Sequence, residues 1–197
     1  MNGCMQCGGV ILTNYDQKIL ATGQKLTDKH INFAQTLLWL QFPNLNGLQS
    51  SLNQSRSQDL DTNDHALQVL HSRGDHWIVA ITIGCNPGNV RVYASLDDGT
   101  HETVQRVFGG CTSFLQVTTM NEPKQQGGTD CGVFAIAVCT CFAFGGKMVI
   151  CQDRMRTTFW NVLRRNFSLR FSVFYYPNSC HSYSIITCTC PQLINYY

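Results

Sequence analysis

The feature that most constrains the fold of this chain is an uninterrupted apolar stretch near its middle, from Val133 to Phe144. It carries no charged residue, it is longer than a typical strand, and it ends at Gly145-Gly146, which suits a helix C-terminus. We therefore predict a helix that is buried on every side at the centre of the fold.

Cys131 lies at the N-terminal end of this predicted helix. Backbone N–H groups without helical partners, together with the positive end of the helix dipole, favour an anion there and make a thiolate a better nucleophile. Cysteines are also common as inert packing residues. This segment alone leaves both roles open for Cys131.

A catalytic thiol needs a base and a site for the oxyanion. Of the six histidines, His76 opens the strand-like run HWIVAITI, where a side chain at the strand edge can face a cleft. For each histidine, including His30 near the first helix, the ordinary expectation is a surface position. Gln125 or Gln126, in a glycine-bearing loop just before Cys131, can supply an amide donor, and spacing alone does not choose between them.

Apolar periodicity and turn residues predict the other elements. We expect an amphipathic helix over 28–42 capped by Thr27 or Asp28, and a polar loop over 49–64. Strands are predicted at 66–70, 76–83 and 90–96, the last two joined by a turn at 85–89, then a short helix at 102–108 and a strand at 114–119. A further helix begins near 151, and its apolar stripe is Met155, Phe159, Leu163 and Phe167.

Composition narrows the class of protein. The chain has 197 residues, 44% of them hydrophobic and 13% charged, with a formal net charge of +2. This suits one globular domain and argues against a disordered chain or a strongly basic nucleic-acid binder. No stretch reaches the ~20 apolar residues of a membrane span, and the first thirty residues lack signal-peptide features. We expect an intracellular protein, nuclear or cytoplasmic, with no membrane partner.

The eleven cysteines do not indicate a disulfide framework, because their number is odd and no secretory signal precedes them. We expect most to be buried free thiols. Cys4 and Cys7 form an isolated C-x-x-C pair, and Cys180, His181, Cys188 and Cys190 cluster near the end. Adjacent Cys180 and His181 suit a tetrahedral zinc site poorly, so we predict a ragged tail, no metal and no cofactor.

Four short motifs, taken in order, point to a family. They are L-x-D-x-x-I at 26–31, H-W at 76–77, V-Y-x-S-L at 92–96 and Q-x5-C-G at 125–132. Together they resemble the ubiquitin-like protein-specific cysteine proteases, the Ulp/SENP family, over roughly residues 15–150. The resemblance implies an α+β, papain-like fold of the Ulp type, with a central helix on a mainly antiparallel sheet. We assign the protease domain to 1–150, and a C-terminal helix and irregular cysteine-containing tail to 151–197.

By the same resemblance, Cys131 is the nucleophile, His76 the general base and Gln125 the oxyanion donor. Trp77 would line the narrow channel that admits a Gly-Gly tail. The implied reaction is hydrolysis of the C-terminal peptide or isopeptide bond of a ubiquitin-like modifier of the SUMO, NEDD8 or ubiquitin class. The modifier or its conjugates would be the partner.

Two positions depart from the family pattern. Ala94 stands where the family has the aspartate that orients the histidine, and Lys25 stands where it usually has a second channel tryptophan. Asp98 has the strand parity of Ala94 but lies about 13 Å further on at ~3.3 Å per residue, and Asp97 has the opposite parity. We therefore expect weakened activity. The alternative hypothesis is a catalytically degenerate module that binds a ubiquitin-like protein.

Overall fold

The computed structural model describes residues 5–51, 60–63, 65–73, 75–96, 101–109, 115–120, 124–145, 148 and 150–164. Within these ranges the strands are β1 (Met5–Cys7), β2 (Val10–Leu12), β3 (Asn46–Gly47), β4 (Ala66–Ser72), β5 (His76–Ile81), β6 (Asn89–Tyr93) and β7 (Gln116–Met120). The helices are α1 (Asn14–Ala21), α2 (Asp28–Gln41), α3 (His101–Phe108), α4 (Cys131–Ala143) and α5 (Gln152–Arg164). None of these helices is long and apolar enough to cross a bilayer.

The main sheet has five strands in the order β3-β4-β5-β6-β7, and β5 is its central strand. β5 pairs antiparallel with both β4 and β6, whereas the two outer pairings, β3 with β4 and β6 with β7, are parallel. β1 and β2 form a separate antiparallel pair. The predicted α+β class is confirmed, with the antiparallel strands at the centre of the sheet.

The two faces of the sheet are covered by different helices. Along β5, Trp77, Val79 and Ile81 belong to the larger hydrophobic cluster, which contains the side chains of α4. Ile78 and Ala80 point the other way, into a smaller cluster formed with the apolar side chains of α3. This period-two alternation divides the core into two layers with β5 between them.

α4 is the buried central helix predicted from its composition. Twelve of its thirteen side chains are buried, which requires that almost none of them be charged or strongly polar. The buried hydroxyl of Thr140 donates a hydrogen bond of 2.8 Å to the Ile136 carbonyl within the helix. After the helix, Gly145 adopts a φ of 62°, which a glycine tolerates without steric cost.

The predicted helices α2 to α5 and strands β4 to β7 are confirmed, with ends that differ by a few residues, whereas β3 was not predicted. Met155, Phe159 and Leu163 of α5 lie in the same hydrophobic cluster as α4. The fourth member of the predicted stripe, Phe167, is outside the described residues. The division of the chain at residue 150 remains a prediction.

The expectation that His30 lies on the surface was wrong, since its side chain is fully buried. The backbone N–H of Thr27 donates to His30 Nδ1 at 3.2 Å, and His30 Nε2 lies 2.9 Å from the carbonyl oxygen of Asp16. With Nδ1 accepting, Nε2 carries the ring proton and donates it. A neutral imidazole thus ties the start of α2 to α1.

Burial lowers the pKa of His30 below its ordinary value of 6.5, opposed in part by its hydrogen bond to Asp16. Below about pH 6.5 the His30 imidazole binds a proton in the unfolded chain but not in the folded protein. The free energy of unfolding should therefore fall as the pH is lowered. The expected slope is at most about 1.4 kcal/mol per pH unit for this group.

The measurement is urea unfolding between pH 7.5 and about 5, compared with a His30→Gln variant that keeps one acceptor and one donor. The variant should lose part of this pH dependence. An unchanged slope would show that His30 does not govern it.

Candidate active site

Cys131 is the first residue of α4, and its side chain is buried, with 1% of the residue exposed. Phe134 donates the first helical hydrogen bond, 2.9 Å, to the carbonyl of Asp130. The N–H groups of Cys131, Gly132 and Val133 therefore have no partner within the helix. Three backbone donors are thus left at the helix end that carries Cys131, and such an end favours an anion.

The first turn of α4 packs directly on β5. A Cβ atom on Gly132 would lie 3.1 Å from Cδ1 of Trp77 and 2.9 Å from Cβ of Leu26, so only glycine fits. The indole Nε1 of Trp77 donates a hydrogen bond of 3.0 Å to the Leu26 carbonyl. Trp77 is thereby fixed between the helix start and the segment that leads into α2.

His76, the residue before Trp77, is the first residue of β5 and is 1% exposed. A surface position for this histidine was therefore the wrong expectation. By strand alternation His76 shares a face with Ile78 and Ala80, whereas Trp77 faces α4. α4 begins level with the first residues of β5, and His76 directly precedes the residue on which the helix start packs.

Ala94 is buried in the same apolar cluster as Ile78. The register pairs Val79 with Tyr93, and its continuation by one residue sets Ala94 opposite Ile78. Position 94 is then a diagonal neighbour of His76, at the Cα distance of roughly 7–8 Å that a carboxylate can bridge to an imidazole. The position at which the family resemblance predicts the acid thus lies beside His76 and holds a methyl group. Asp97 and Asp98 are outside the described residues.

Gln125 is held in a defined orientation by its side-chain amide. Ser95 Oγ donates to Gln125 Oε1 at 2.6 Å, and Gln125 Nε2 donates to the Gly127 carbonyl at 2.7 Å. Its backbone N–H also donates to the Ser95 carbonyl at 3.1 Å. Nε2 carries a second hydrogen, which is the one that an oxyanion would use.

A groove of about 430 Å³ opens beside Trp77, where the family resemblance predicts the channel for the modifier tail. Lys25 Nζ lies 3.2 Å from Asp75 Oδ2, and His71 Nε2 lies 3.3 Å from Asp75 Oδ1. The His71 ring stacks edge to face on Trp77, with 4.7 Å between the ring centroids. The groove is lined by Lys25, Leu26, Thr27, Asp28, Ser51, His71, Asp75 and Trp77.

The hydrogen bond from Lys25 lowers the pKa of Asp75, and the one from His71 adds to the effect. Asp75 is therefore ionised at neutral pH. It occupies the turn between β4 and β5 with a φ of 60°, a conformation that aspartate tolerates better than most residues. Lys25 thus brings an exposed ion pair to the groove.

No contact was predicted from the sequence for four polar residues: Ser95, Asp130, Gln152 and Arg156. Ser95 is part of the V-Y-x-S-L motif, but nothing in the motif shows that its hydroxyl holds Gln125. Asp130 binds Gln152 and Arg156 of α5. No sequence signal links these residues, because they are more than twenty positions apart and are joined only by the packing of α5.

Five cysteines besides Cys131 lie in the described ranges. None of the six forms a disulfide, and Cys7, Cys139 and Cys141 are buried like Cys131. Burial raises the pKa of Cys7 to about 11 and also raises that of Cys139. These two are packing thiols that stay protonated at neutral pH. Within the described ranges no three ligand-type side chains cluster to hold a metal ion, and Cys180, His181, Cys188 and Cys190 lie outside them.

The fold and the position of Cys131 define a papain-like, Ulp-type class of α+β protein in which a cysteine opens the buried central helix. A sequence model described as the Ulp1 protease family, C-terminal catalytic domain, matches residues 43–169, more than half of the chain. The chain therefore belongs to the Ulp1 family of cysteine proteases. No curated protein matches it in sequence.

Solved structures of Ulp-type proteases share the fold at low sequence identity. The SUMO protease Ulp1 with its catalytic cysteine oxidised to a sulfenic acid superposes with a TM-score of 0.59 at 16% identity, over 81% of this chain and 86% of that one. Ulp1 in complex with Smt3, the yeast ortholog of SUMO, gives 0.61 at 15% identity, over 84% and 89%. A de-sumoylating protease gives 0.60 at 14% identity, over 83% and 90%.

The contact at Gly132 predicts the effect of one added methyl group. We expect Gly132→Ala to lower the free energy of unfolding by about 1–3 kcal/mol, because its Cβ would overlap Leu26 and crowd Trp77. The matched control is Gly128→Ala, where an added Cβ meets nothing within 4 Å. Chemical denaturation of both variants checks this, and equal stabilities would contradict the packing described.

Proposed function

We propose that the chain is a thiol protease that cleaves the peptide or isopeptide bond after the C-terminal glycine of a ubiquitin-like modifier. The observation that carries the proposal is the position of Cys131 at the first turn of a buried helix, with Trp77 packed on the next residue. Membership of the Ulp1 family and the fold shared with Ulp1 bound to Smt3 support a modifier of the SUMO type as the substrate class.

In the proposed reaction, Cys131 passes its thiol proton to His76, its Sγ attacks the carbonyl carbon of the modifier's last glycine, and a tetrahedral oxyanion forms. The second N–H of Gln125 Nε2 and the backbone N–H of Cys131 would donate to that oxyanion. The C–N bond then breaks, and His76 gives its proton to the leaving amine. A thioester to Cys131 remains.

Water hydrolyses the thioester in the second half of the reaction. His76 takes one proton from the water, the water oxygen attacks the thioester carbonyl, and the Cys131 thiolate leaves. The products are the modifier with a free C-terminal carboxylate and the regenerated enzyme. The groove beside Trp77 is the proposed entry for the diglycine tail. The lack of disulfides among the six cysteines in the described ranges supports an intracellular location.

The second candidate function is binding of a ubiquitin-like protein without turnover. Two observations favour it: position 94 is an alanine in an apolar cluster, and an ion pair of Lys25 stands at the groove. Loss of the orienting acid lowers turnover by about 10⁴ in serine proteases, largely through the wrong imidazole tautomer. A cysteine thiol ionises more readily than a serine hydroxyl, so a cysteine protease depends less on its base. Loss of the acid therefore need not abolish turnover by this chain.

The two functions differ in covalent chemistry at Cys131. We expect propargylamide probes made from SUMO, NEDD8 and ubiquitin to label Cys131 with at least one modifier, as mapped by peptide mass spectrometry, and the same modifier's fluorogenic conjugate to be cleaved. A Cys131→Ser variant should bind the modifier without labelling. Saturable binding by the unaltered protein with neither labelling nor cleavage would support the binding module instead.

Restoring a carboxylate beside His76 should raise turnover. We expect Ala94→Asp to increase kcat by about tenfold or more, because a buried carboxylate fixes the tautomer and stabilises the imidazolium. The matched control is Ala94→Asn, which has the same size and no charge. If both variants have the kcat of the unaltered protein while remaining folded, position 94 does not orient His76.

A further inference from the structure

The loop from Gln125 to Asp130, here called the nucleophile loop, leads into Cys131 and is exposed along most of its length. It contains the adjacent glycines Gly127 and Gly128, and Gly127 has a φ of 78°. Glycines carry the largest backbone entropy in the unfolded chain, so such a loop takes one conformation only when other groups hold it. At its start, Ser95 holds Gln125 as described above.

Gln152, the first residue of α5, holds the middle of the nucleophile loop. Its Oε1 accepts from the backbone N–H of Gln126 at 2.7 Å, and its Nε2 donates to the Gln126 carbonyl at 2.8 Å. Nε2 also donates to Asp130 Oδ2 at 2.7 Å. Two donors and one acceptor on one planar group are needed here, and a glutamate of the same shape supplies no donor when ionised.

Arg156 holds the end of the loop, one helical turn after Gln152. Its Nε donates to Asp130 Oδ1 at 2.6 Å, and its Nη2 donates to the Thr129 carbonyl at 3.1 Å. Both side chains of the Arg156–Asp130 ion pair are only 16% exposed, so solvent screens it less than a surface pair. A lysine keeps the charge but lacks the fork that reaches both oxygens.

The charge of Arg156 also bears on the sulfur. Asp130 directly precedes Cys131, and an uncompensated carboxylate there would oppose formation of the thiolate. Arg156 offsets that charge. Buried Met155, Phe159 and Leu163 anchor α5 in the core, so the two polar side chains project from a fixed helix.

We propose that Gln152 and Arg156 of α5 are positioning residues for the nucleophile. They fix the loop so that the Gln125 amide and the Cys131 N–H can meet the same oxyanion, and Arg156 offsets the charge of Asp130. The first role rests on the proposed protease function. The second concerns only the thiol and can be measured without a substrate.

The substrate-independent test is the rate at which iodoacetamide alkylates Cys131 at neutral pH, followed by mass spectrometry of the peptide that contains it. We expect Arg156→Gln to slow alkylation by about tenfold, through the charge left on Asp130. Asp130→Asn combined with Arg156→Gln should regain most of that loss, which a purely structural role would not produce. The control is Arg106→Gln, the same exchange at an exposed position of α3.

The catalytic test uses Gln152→Glu and Arg156→Lys with a fluorogenic modifier substrate. We expect kcat to fall by about ten- to a hundredfold in both, because the oxyanion donors shift, while KM changes less than threefold since the groove beside Trp77 is untouched. Arg156→Lys should keep most of the alkylation rate, because it retains the charge. A fall in stability alone would leave kcat per folded molecule unchanged.

The outcomes separate the two proposals. Equal alkylation of Cys131 in the unaltered protein, Arg156→Gln and the double variant overturns the electrostatic role, whether or not the protein cleaves modifiers. Unchanged kcat in Gln152→Glu and Arg156→Lys overturns the geometric role. If no modifier is cleaved but alkylation follows the expected order, the protease proposal fails and the role of Arg156 stands.

Discussion

The contact on which the rest of the site depends is made by the backbone of Gly132 against the indole of Trp77 and the side chain of Leu26. Each of these three residues directly follows a position that is important for the proposed function. Gly132 follows Cys131, Trp77 follows His76, and Leu26 follows Lys25. This close approach, together with the hydrogen bond from Trp77 to the Leu26 carbonyl, therefore fixes the backbone next to the proposed nucleophile, the proposed base and the groove. A side chain at position 132 would crowd Leu26 and Trp77.

Much of this arrangement can be predicted from local patterns. The uniform apolarity of α4 specifies a buried helix, and alternation in β4, β5 and β6 specifies a central antiparallel sheet. β1, β2, α1 and β3 were not predicted. The three strands have only two or three residues, too few to show a period, and α1 has only eight. The ordered motifs suggested Cys131 and Gln125 as site residues.

The burial of polar side chains was not predicted correctly from the sequence. His30 was expected at the surface, and it is held by a partner distant in sequence, the Asp16 carbonyl. No partner was predicted for Arg156, which binds the Asp130 carboxylate. Spacing alone left open the choice between Gln125 and Gln126, and the family motif Q-x5-C-G selected Gln125. In the structure the side chain of Gln125 is bound by Ser95, whereas Gln126 is held through its backbone by Gln152. The two adjacent glutamines thus have different tertiary contacts.

Ala94 and Lys25 depart from the family pattern, whereas Gln125, Cys131 and Gly132 match it. Ala94 removes a buried carboxylate whose desolvation would have cost several kcal/mol without a charged partner, so the change favours stability over catalysis. Lys25 alters the groove through an exposed ion pair, which is worth roughly 0–1 kcal/mol and is easily rearranged. Neither change touches the nucleophile loop.

That loop is costly to order. Fixing six backbone residues, two of them glycines, opposes folding by roughly 1–2 kcal/mol per residue, whereas each hydrogen bond returns only about 1 kcal/mol net. A protein that only bound a modifier would gain nothing from ordering a loop next to a sulfur. Here Ser95, Gln152 and Arg156 all serve to hold it, and Arg156 brings a compensating charge beside Cys131. Thiolate chemistry needs polar groups that hold the segment before the thiol. Their presence here favours the protease over the binding module.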